Sequence, residues 1–156
     1  MQHNQVITKD LIEYKTELSS KEEIFEKIAS LAIEQGIAND KEAIIKGLFK
    51  REEESTTGFF DGFAIPHTKQ SSITEAGIVI LVNDKGIEWD SMDGQPAHFF
   101  ISLLIPDQEA GSTHLKMLST ISKMLMDEDV RMELSNAKSS GAIYDIINNF
   151  LNENMD

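Results

Sequence analysis

Apolar residues in the first third of the chain recur every three or four positions, which is the spacing of a helix that buries one face. The series comprises Ile24, Phe25, Ile28, Leu31 and Ala32. The series begins with a capping-box pair, in which Ser20 is the cap and Glu23 follows three residues later. Gly36 follows the series as a helix stop. The pattern therefore predicts a first helix between Ser20 and Gly36.

A second helical series follows directly. It is predicted to start at Asn39 or Asp40, since either residue can cap a helix, and to end in the charged run Arg51–Glu54. Its inward positions are Ile44, Ile45, Leu48 and Phe49.

The middle of the chain changes to strand patterns. Phe63–Ile65 is a short extended segment, which Pro66 is expected to end because proline has no N–H for a ladder. Residues 77–82 and 97–105 are apolar runs typical of buried strands. Turns are predicted where turn-forming residues cluster, at 83–86 and 91–94.

The last third is helical again, with two apolar faces at helical spacing. The first comprises Leu115, Leu118, Ile121, Met124 and Leu125, and the second Ile143, Ile146, Ile147, Phe150 and Leu151. Helices on either side of a strand-rich centre predict an α/β sandwich, in which helices pack over a small central sheet. The pattern leaves parallel or antiparallel pairing open. A chain of 156 residues without repeat or linker is expected to form one domain over residues 1–156.

Composition narrows the chemistry. The chain has no cysteine, which excludes disulfides, thiolate metal sites and cysteine nucleophiles. Its net charge of −13 repels nucleic acid and suits a basic protein partner, although the same charge also serves solubility. No apolar run approaches the ~20 residues that cross a membrane, and the start lacks a signal-peptide pattern. We therefore expect a cytoplasmic protein that does not insert into membranes.

The histidines are the first candidates for covalent chemistry. His3 lies near the start of the chain, and His98 lies inside a predicted strand, where a structural role is favoured. His67 follows Pro66 at the end of a short strand, which would hold the imidazole at a strand edge facing a loop, a common place for sites in α/β proteins. Position alone also allows a structural role for His67.

His114 lies in the first turn of a predicted helix, which Ser112 or Thr113 can cap. A helix N-terminus attracts anions and disfavours the imidazolium, so a neutral, hydrogen-bond-donating His114 is one hypothesis. The other is that its ring covers the edge of the core.

Competing site types lack their motifs. Neither His67 nor His114 has a histidine or acid at the short spacing of a zinc motif, although a metal site built from distant residues stays an alternative. The chain has no nucleophile elbow of a serine hydrolase and no glycine-rich phosphate or dinucleotide loop. We therefore expect no metal and no cofactor.

The segment 56–67, TTGFFDGFAIPH, resembles the active-site signature of the IIA components of fructose/mannitol-type sugar phosphotransferase systems. Matching stretches follow in the family's order from about Leu11 to Leu151. They are Arg51-Glu52, Gly86-Ile87-Glu88-Trp89, Met92-Asp93-Gly94-Gln95-Pro96, Leu104-Ile105-Pro106 and His114-Leu115-Lys116-Met117-Leu118. Departures from the usual residues at Phe60, Phe63 and Thr68 concern the substrate branch and the loop geometry.

The resemblance implies an α/β sandwich with a small mixed sheet and a phosphotransferase component that forms a phosphohistidine. His67 would accept the phosphoryl group from phospho-HPr and pass it to a cysteine of a separate IIB protein or domain, which serves a membrane IIC transporter. His114 would donate hydrogen bonds to the phosphate. Arg51 would be a further phosphate contact, unless it is a solvated helix-end charge.

The resemblance also ranks the functions. The blocks at 86–89 and 93–96 look most like the fructose branch, so fructose or a mannose-like hexose is the expected sugar, and a hexitol such as mannitol or galactitol is the alternative. A nitrogen-type regulatory IIA protein, acting through its phosphorylation state, is the second function. A hydrolase or metal protein is the third.

A carrier must dock two proteins in turn at one histidine. We therefore expect an apolar centre around it to which Phe59 and Phe60 contribute, and a rim that draws its acidic charge from Glu52, Glu53 and Asp61.

Overall fold

The computed structural model describes residues 6–108 and 112–155, without the side chains of residues 112–114. A 3₁₀ turn at Lys9–Leu11 precedes the regular elements. These are, in chain order, β1 Ile12–Thr16, α1 Lys21–Glu34, α2 Lys41–Glu54, β2 Phe63–Ala64, β3 His67–Gln70, β4 Gly77–Ile87, β5 Ala97–Pro106, α3 Ser112–Met126, α4 Glu128–Asn136 and α5 Ser140–Asn154.

The five strands form one sheet in the order β1-β4-β5-β2, with β3 also beside β5. The central pair, β4 and β5, is antiparallel, while β1 runs parallel to β4 and both β2 and β3 run parallel to β5. The sheet is therefore mixed, and this confirms the mixed sheet that the family resemblance implies. The two short strands β2 and β3 are consecutive along β5, so the chain between them stays at the sheet edge.

Alternation along the central strands divides the core into two layers. Val79 and Leu81 of β4 pack with α1 and α2 on one face of the sheet. Ile78 and Ile80 pack with α3, α4 and α5 on the other face. Helices on both faces of the sheet confirm the predicted α/β sandwich.

The helix starts follow the local sequence. Ser20 Oγ accepts from Glu23 N at 3.1 Å, while Glu23 Oε1 accepts from the preceding Ser19 N at 2.7 Å. Asp40 Oδ1 caps α2 by accepting from Ala43 N at 3.1 Å. Gly36 has φ +76°, the left-handed conformation that glycine adopts after a helix end. Both predicted helices are confirmed, and each cap stabilises its helix by about 1 kcal/mol.

The packing of α2 on β3 brings the end of the helix to the start of the strand. A Cβ at Gly47 would overlap Thr68 Oγ1 and Gln70 Nε2. Gln70 Nε2 also donates to the carbonyl of Ala43 at 2.9 Å, which ties the strand to the helix. Glycine inside a helix costs about 1 kcal/mol relative to alanine, and here it permits this close approach.

The short strand β2 ends at Ala64, before Pro66, as predicted. The Pro66 carbonyl then accepts from Leu103 N at 3.0 Å, and the chain re-enters the sheet at His67. One local prediction from the middle of the chain is wrong. Residues 83–86 do not turn, because β4 continues to Ile87. The buried Asn83 accepts from Thr16 Oγ1 and donates to the carbonyl of Leu18, so its side chain holds the β1–α1 connection. The turn at 91–94 is confirmed, with Gly94 N donating to Ser91 O at 3.0 Å.

The C-terminal third contains one helix more than predicted. Asp127 ends the first amphipathic series and caps α4 by accepting from Asp129 N at 2.9 Å. Leu115 is 62% exposed, so the prediction that it belongs to the buried face of α3 is wrong. The other members of that face, from Leu118 to Leu125, contribute to the core.

Candidate functional site

His67 is the first residue of β3 and is half-buried. Pro66 fixes the chain before it, and the parallel pairing of His67 with Leu103 fixes the chain at it. The last turn of α2 lies beside the ring, because Gly47 allows the helix to approach the strand. The prediction of a histidine at a strand boundary is confirmed, although it begins a strand instead of ending one.

Two hydrogen bonds define the tautomer of His67. Nδ1 lies 2.8 Å from the carbonyl oxygen of Ile65, and Nε2 lies 3.1 Å from Nε of Arg51. A carbonyl only accepts and a guanidinium only donates. Nδ1 therefore carries the proton, and Nε2 presents a lone pair.

Arg51 is held in place from the end of α2. Its Nη1 donates to the carbonyl of Ser55 at 2.8 Å, just beyond the helix. The structure thus places Arg51 against His67, where a phosphoryl group on Nε2 would lie within its reach. Its role as a phosphate contact stays a prediction.

Glu52, the next residue, braces the chain on the other side of the site. Its carboxylate accepts from the backbone N–H of Thr57 at 3.0 Å and from the Thr57 hydroxyl. Thr57 Oγ1 in turn accepts from the indole Nε1 of buried Trp89 at 3.2 Å. Thr56 Oγ1 donates to the carbonyl of Trp89 at 2.6 Å. We call residues 56–58 the strap.

The strap is connected to the histidine through the backbone. The carbonyl of Thr57 accepts from Ile65 N at 3.0 Å, and the carbonyl of Ile65 is the partner of His67 Nδ1. Adjacent residues of one helix turn therefore act on both ring nitrogens, Arg51 directly and Glu52 through the strap. Sequence reasoning gave no such role to Glu52, Thr57 or Trp89, although all three lie in stretches that carry the resemblance.

Two cavities meet at Arg51 and His67. The smaller, of about 210 Å³, lies between the strap and α3; its other lining residues are Thr56, Thr57, Gly58, Phe59, Ile65, Met92, Leu118 and Ser122. The larger, of about 540 Å³, lies between α2 and β3; its other lining residues are Gly47, Lys50, Glu54, Thr68, Lys69 and Gln70. We call the second one the basic recess. Met92 at the mouth of the first cavity is 66% exposed, which provides an apolar surface next to the histidine.

The three phenylalanines of the motif differ in exposure, and Phe59 lines the smaller cavity beside His67. Phe59 and Phe60 are half-buried and stack edge to face with centroids 5.0 Å apart, whereas Phe63 is fully buried. The predicted acidic rim needs correction, because Glu52 binds the strap and Asp61 pairs with Arg131 Nε at 2.9 Å. Within the described part of the chain, Glu53 is the one of the three predicted rim residues without such a partner.

His98 lies in a different cavity, of about 640 Å³, which Asp61, Gly62, Gly86, Asp93, Gln95 and Pro96 also line. Burial lowers the pKa of His98, so its neutral form is favoured. The cavity also contains Asp93, whose carboxylate accepts from Asp61 N, and this bond is the main cause of its lowered pKa. Placement away from His67 agrees with the structural role expected for His98.

His114 is the third residue of α3, so its predicted place in the first turn of a helix is confirmed. The prediction that Ser112 or Thr113 caps this helix is wrong, because α3 already begins at Ser112. Its side chain lies outside the described part of the structure. The expected contact between His114 and a phosphate on His67 stays a prediction.

Across residues 6–108 and the described side chains from 115 onward, no group of three or more His, Asp or Glu could hold a metal ion. None of the helices described is long and apolar enough to cross a membrane.

Comparison with known proteins places the whole arrangement in context. The family model described as the phosphoenolpyruvate-dependent sugar phosphotransferase system, EIIA 2, matches residues 5–150. The chain is 35% identical over 148 residues to the fructose-specific EIIABC component of Bacillus subtilis strain 168, which covers 95% of this chain but 23% of that protein. It is 34% identical over 138 residues to the fructose-specific EIIA component of Haloferax volcanii, covering 88% of this chain and 89% of that protein.

A second group of relatives carries a different name. The nitrogen regulatory protein of Pseudomonas aeruginosa is 34% identical over 128 residues, with 82% of each chain covered. The solved structure of the nitrogen regulatory protein IIA-Ntr from Neisseria meningitidis superposes with a TM-score of 0.86 at 24% identity, covering 94% of this chain and 99% of that chain. The mannitol IIA of Escherichia coli superposes with a TM-score of 0.73 at 18% identity, covering 90% and 97%. The last two likenesses establish the fold.

Proposed function

The chain belongs to the EIIA 2 family of the phosphoenolpyruvate-dependent sugar phosphotransferase system, and from this premise we propose that it is a phosphoryl carrier that works through His67. In this proposal His67 accepts the phosphoryl group of phospho-HPr and passes it to a IIB protein or domain.

The observation that carries the proposal is the tautomer of His67. With Nδ1–H on the carbonyl of Ile65, the lone pair of Nε2 is the nucleophile. A bond forms between Nε2 and phosphorus, the phosphorus–nitrogen bond of the donor histidine breaks, and its electron pair returns to the donor ring. No proton moves, because Nδ1 keeps its proton throughout and the carbonyl stabilises the positive charge that the phosphorylated ring gains. When the phosphoryl group passes on to IIB, the ring of His67 becomes neutral again.

Arg51 accompanies this transfer. It binds Nε2 in the resting state, so it must release the lone pair as phosphorus approaches. Once phosphorus is bonded to Nε2, its oxygens give the guanidinium of Arg51 a charged acceptor close to the one that it lost. Phosphoryl transfer depends mainly on such positioning and charge stabilisation. We propose the same kind of contact for His114, from the N-terminal turn of α3.

The partners follow from the composition of the relatives. The Bacillus relative carries EIIA together with B and C in one protein, and this chain matches 23% of it. This chain has no cysteine, so an acceptor cysteine of IIB must lie outside the sequence, as must a membrane IIC transporter. We propose one domain over residues 1–156, a cytoplasmic location and no nucleic-acid partner, since a net charge of −13 repels polyanions.

Fructose or a related hexose is the proposed sugar, because two relatives at 34–35% identity are named fructose-specific. The test is to phosphorylate the chain with phosphoenolpyruvate, enzyme I and HPr, and then to measure transfer of the phosphoryl group from the isolated phosphoprotein to a fructose IIB. A mannitol or galactitol IIB serves as the comparison. Transfer to the hexitol IIB alone would reject the fructose assignment.

A regulatory role is the second candidate, favoured by the nitrogen regulatory relative at 34% identity over 82% of both chains. A regulator would still be phosphorylated on His67 but would hold the group. Rapid loss of the group to a sugar-specific IIB supports the carrier. Stable phosphorylation in the presence of each IIB tested supports the regulator.

A further inference from the structure

The basic recess between α2 and β3 has the opposite charge to the protein as a whole. Its charged lining side chains are Lys50, Arg51, Glu54 and Lys69, three cations and one anion, in a chain of net charge −13. We propose that this recess binds a small phosphorylated anion with two or more negative charges, and that the bound anion competes with phosphoryl transfer to His67.

The recess follows from the local structure of both elements. Gly47, Lys50, Arg51 and Glu54 of α2 are spaced i, i+3, i+4 and i+7, so they form one stripe of the helix. On β3, Lys69 lies two residues after His67, and the two side chains leave the strand on the same side. Lys50 and Arg51 of the helix and Lys69 of the strand line the same opening.

The lysines of the recess keep their charge available. Within the described part of the chain, no carboxylate oxygen lies within 4.0 Å of the ammonium of Lys50 or Lys69. No cationic nitrogen lies within that distance of the Glu54 carboxylate either. Arg51, by contrast, is already engaged with His67 and Ser55. The two lysines are therefore the groups that a diffusing ligand would neutralise.

Size and charge determine the class of ligand. A volume of about 540 Å³ fits a small organic phosphate or pyrophosphate. Long polyanions are repelled by the rest of the surface, whereas a compact anion meets only the local positive field. Two or more negative charges are needed because single contacts between exposed charges are weak.

The consequence for transfer rests on the proposed function. His67 and Arg51 form one wall of the recess, so an anion held by the lysines lies beside the nucleophile. It repels the incoming phosphoryl group and draws on the charge of Arg51. Accumulated phosphorylated products would then slow the carrier by competing with phospho-HPr.

Binding is tested on the unphosphorylated full chain, labelled with ¹⁵N and titrated with inorganic pyrophosphate at constant ionic strength. We expect saturable shifts centred on Gly47 and Lys69. Lys50→Gln and Lys69→Gln should each weaken binding about threefold, as expected for loss of one exposed charge contact. Glu54→Gln should tighten binding by a similar factor. The matched controls are exposed residues of the same helix that do not line the recess, Lys46→Gln and Glu53→Gln.

Two results would overturn the binding site: shifts that do not saturate, and equal affinities for Lys69→Gln and Lys46→Gln. Competition is tested by the rate of transfer from phospho-HPr with and without pyrophosphate at matched ionic strength. We expect inhibition that higher phospho-HPr relieves and that Lys69→Gln diminishes. Binding without inhibition would reject the competition. The binding titration needs no phosphoryl transfer, so failure of the carrier function and failure of the site are separate results.

Discussion

Nε of Arg51 donates to Nε2 of His67 across 3.1 Å, so the guanidinium occupies the ring nitrogen whose lone pair attacks phosphorus. The opposite nitrogen is fixed by the carbonyl of Ile65 at 2.8 Å. The site therefore holds a neutral, oriented nucleophile together with a cation placed where negative charge arrives.

Replacing Arg51 should slow phosphorylation without unfolding the protein. We expect Arg51→Gln to lower the single-turnover rate from phospho-HPr by about a hundredfold, the effect of losing one oriented donor to a transferring group. Arg51→Lys should recover little, because an ammonium lacks the planar fork that reaches both Ser55 and the ring. Rapid-quench kinetics measure this, with Lys46→Gln as the control. Rates within twofold of the parent for both Arg51 variants would show that the contact is incidental.

Glu52 and its neighbour Glu53 should differ sharply. Glu52→Gln replaces one carboxylate acceptor by an amide donor opposite the Thr57 hydroxyl, and we expect the free energy of unfolding to fall by about 1–2 kcal/mol. Glu53→Gln, at an exposed position, should change it by less than about 0.5 kcal/mol. Urea denaturation measures both.

The fluorescence of Trp89 gives a second measurement on the same network. Trp89 is the sole tryptophan of the chain, and its indole donates to Thr57 Oγ1. Its emission should therefore change in Glu52→Gln and stay unchanged in Glu53→Gln. An identical spectrum and stability for the two variants would argue against the strap as a brace.

Gly47→Ala should destabilise the protein although alanine is the better helix former. The propensity gain is about 1 kcal/mol, but the added methyl overlaps Thr68 Oγ1 and Gln70 Nε2. Overpacking of this kind costs about 1–3 kcal/mol, so we expect a net loss. A comparison is Glu42→Ala at an exposed position of the same helix. Greater stability of Gly47→Ala in thermal unfolding would contradict the close packing of α2 on β3.

His98 should make stability depend on pH. Burial lowers its folded-state pKa below the ordinary value of 6.5. Below pH 6.5 the unfolded state therefore binds more protons, so stability falls as the pH drops through 6.5 towards the folded-state pKa. The hydrogen bond from Asp61 N lowers the pKa of Asp93 in the same cavity, which moves the titration of that carboxyl further below this window. His98→Gln should flatten the dependence between pH 7 and 5.5 in urea denaturation, and an unchanged slope would refute the assignment.

Periodicity predicted most of the fold because apolar spacing reports burial directly. The helices at α1 and α2, the two long strands and the sandwich architecture follow from it. It failed where a tertiary contact overrides local preference. Asn83 looks like a turn residue, but it is buried, and its side-chain amide accepts from Thr16 Oγ1 and donates to the carbonyl of Leu18. Whether neighbouring strands are parallel or antiparallel depends on which strands pair, and the apolar spacing along one sequence does not give that.

The site divides in the same way. His67 could be found from its motif, and Arg51 from the resemblance, because both lie in contiguous segments. The hydrogen-bonded chain from Glu52 through Thr57 ends at Trp89, which is 32 positions after Thr57 in the sequence. These residues come together only after the sheet has formed. The sequence predicts a surface position for Glu52, because charge alone does not reveal a partner.

The most direct test of the carrier function is to identify the atom that is phosphorylated. After incubation with phosphoenolpyruvate, enzyme I and HPr, intact mass should show one added phosphoryl group, and ¹⁵N spectra of the histidine rings should place it on Nε2 of His67 with Nδ1 still protonated. His67→Ala should gain none. A phosphoryl group on the His67→Ala protein, or on Nδ1 of the parent, would contradict the account.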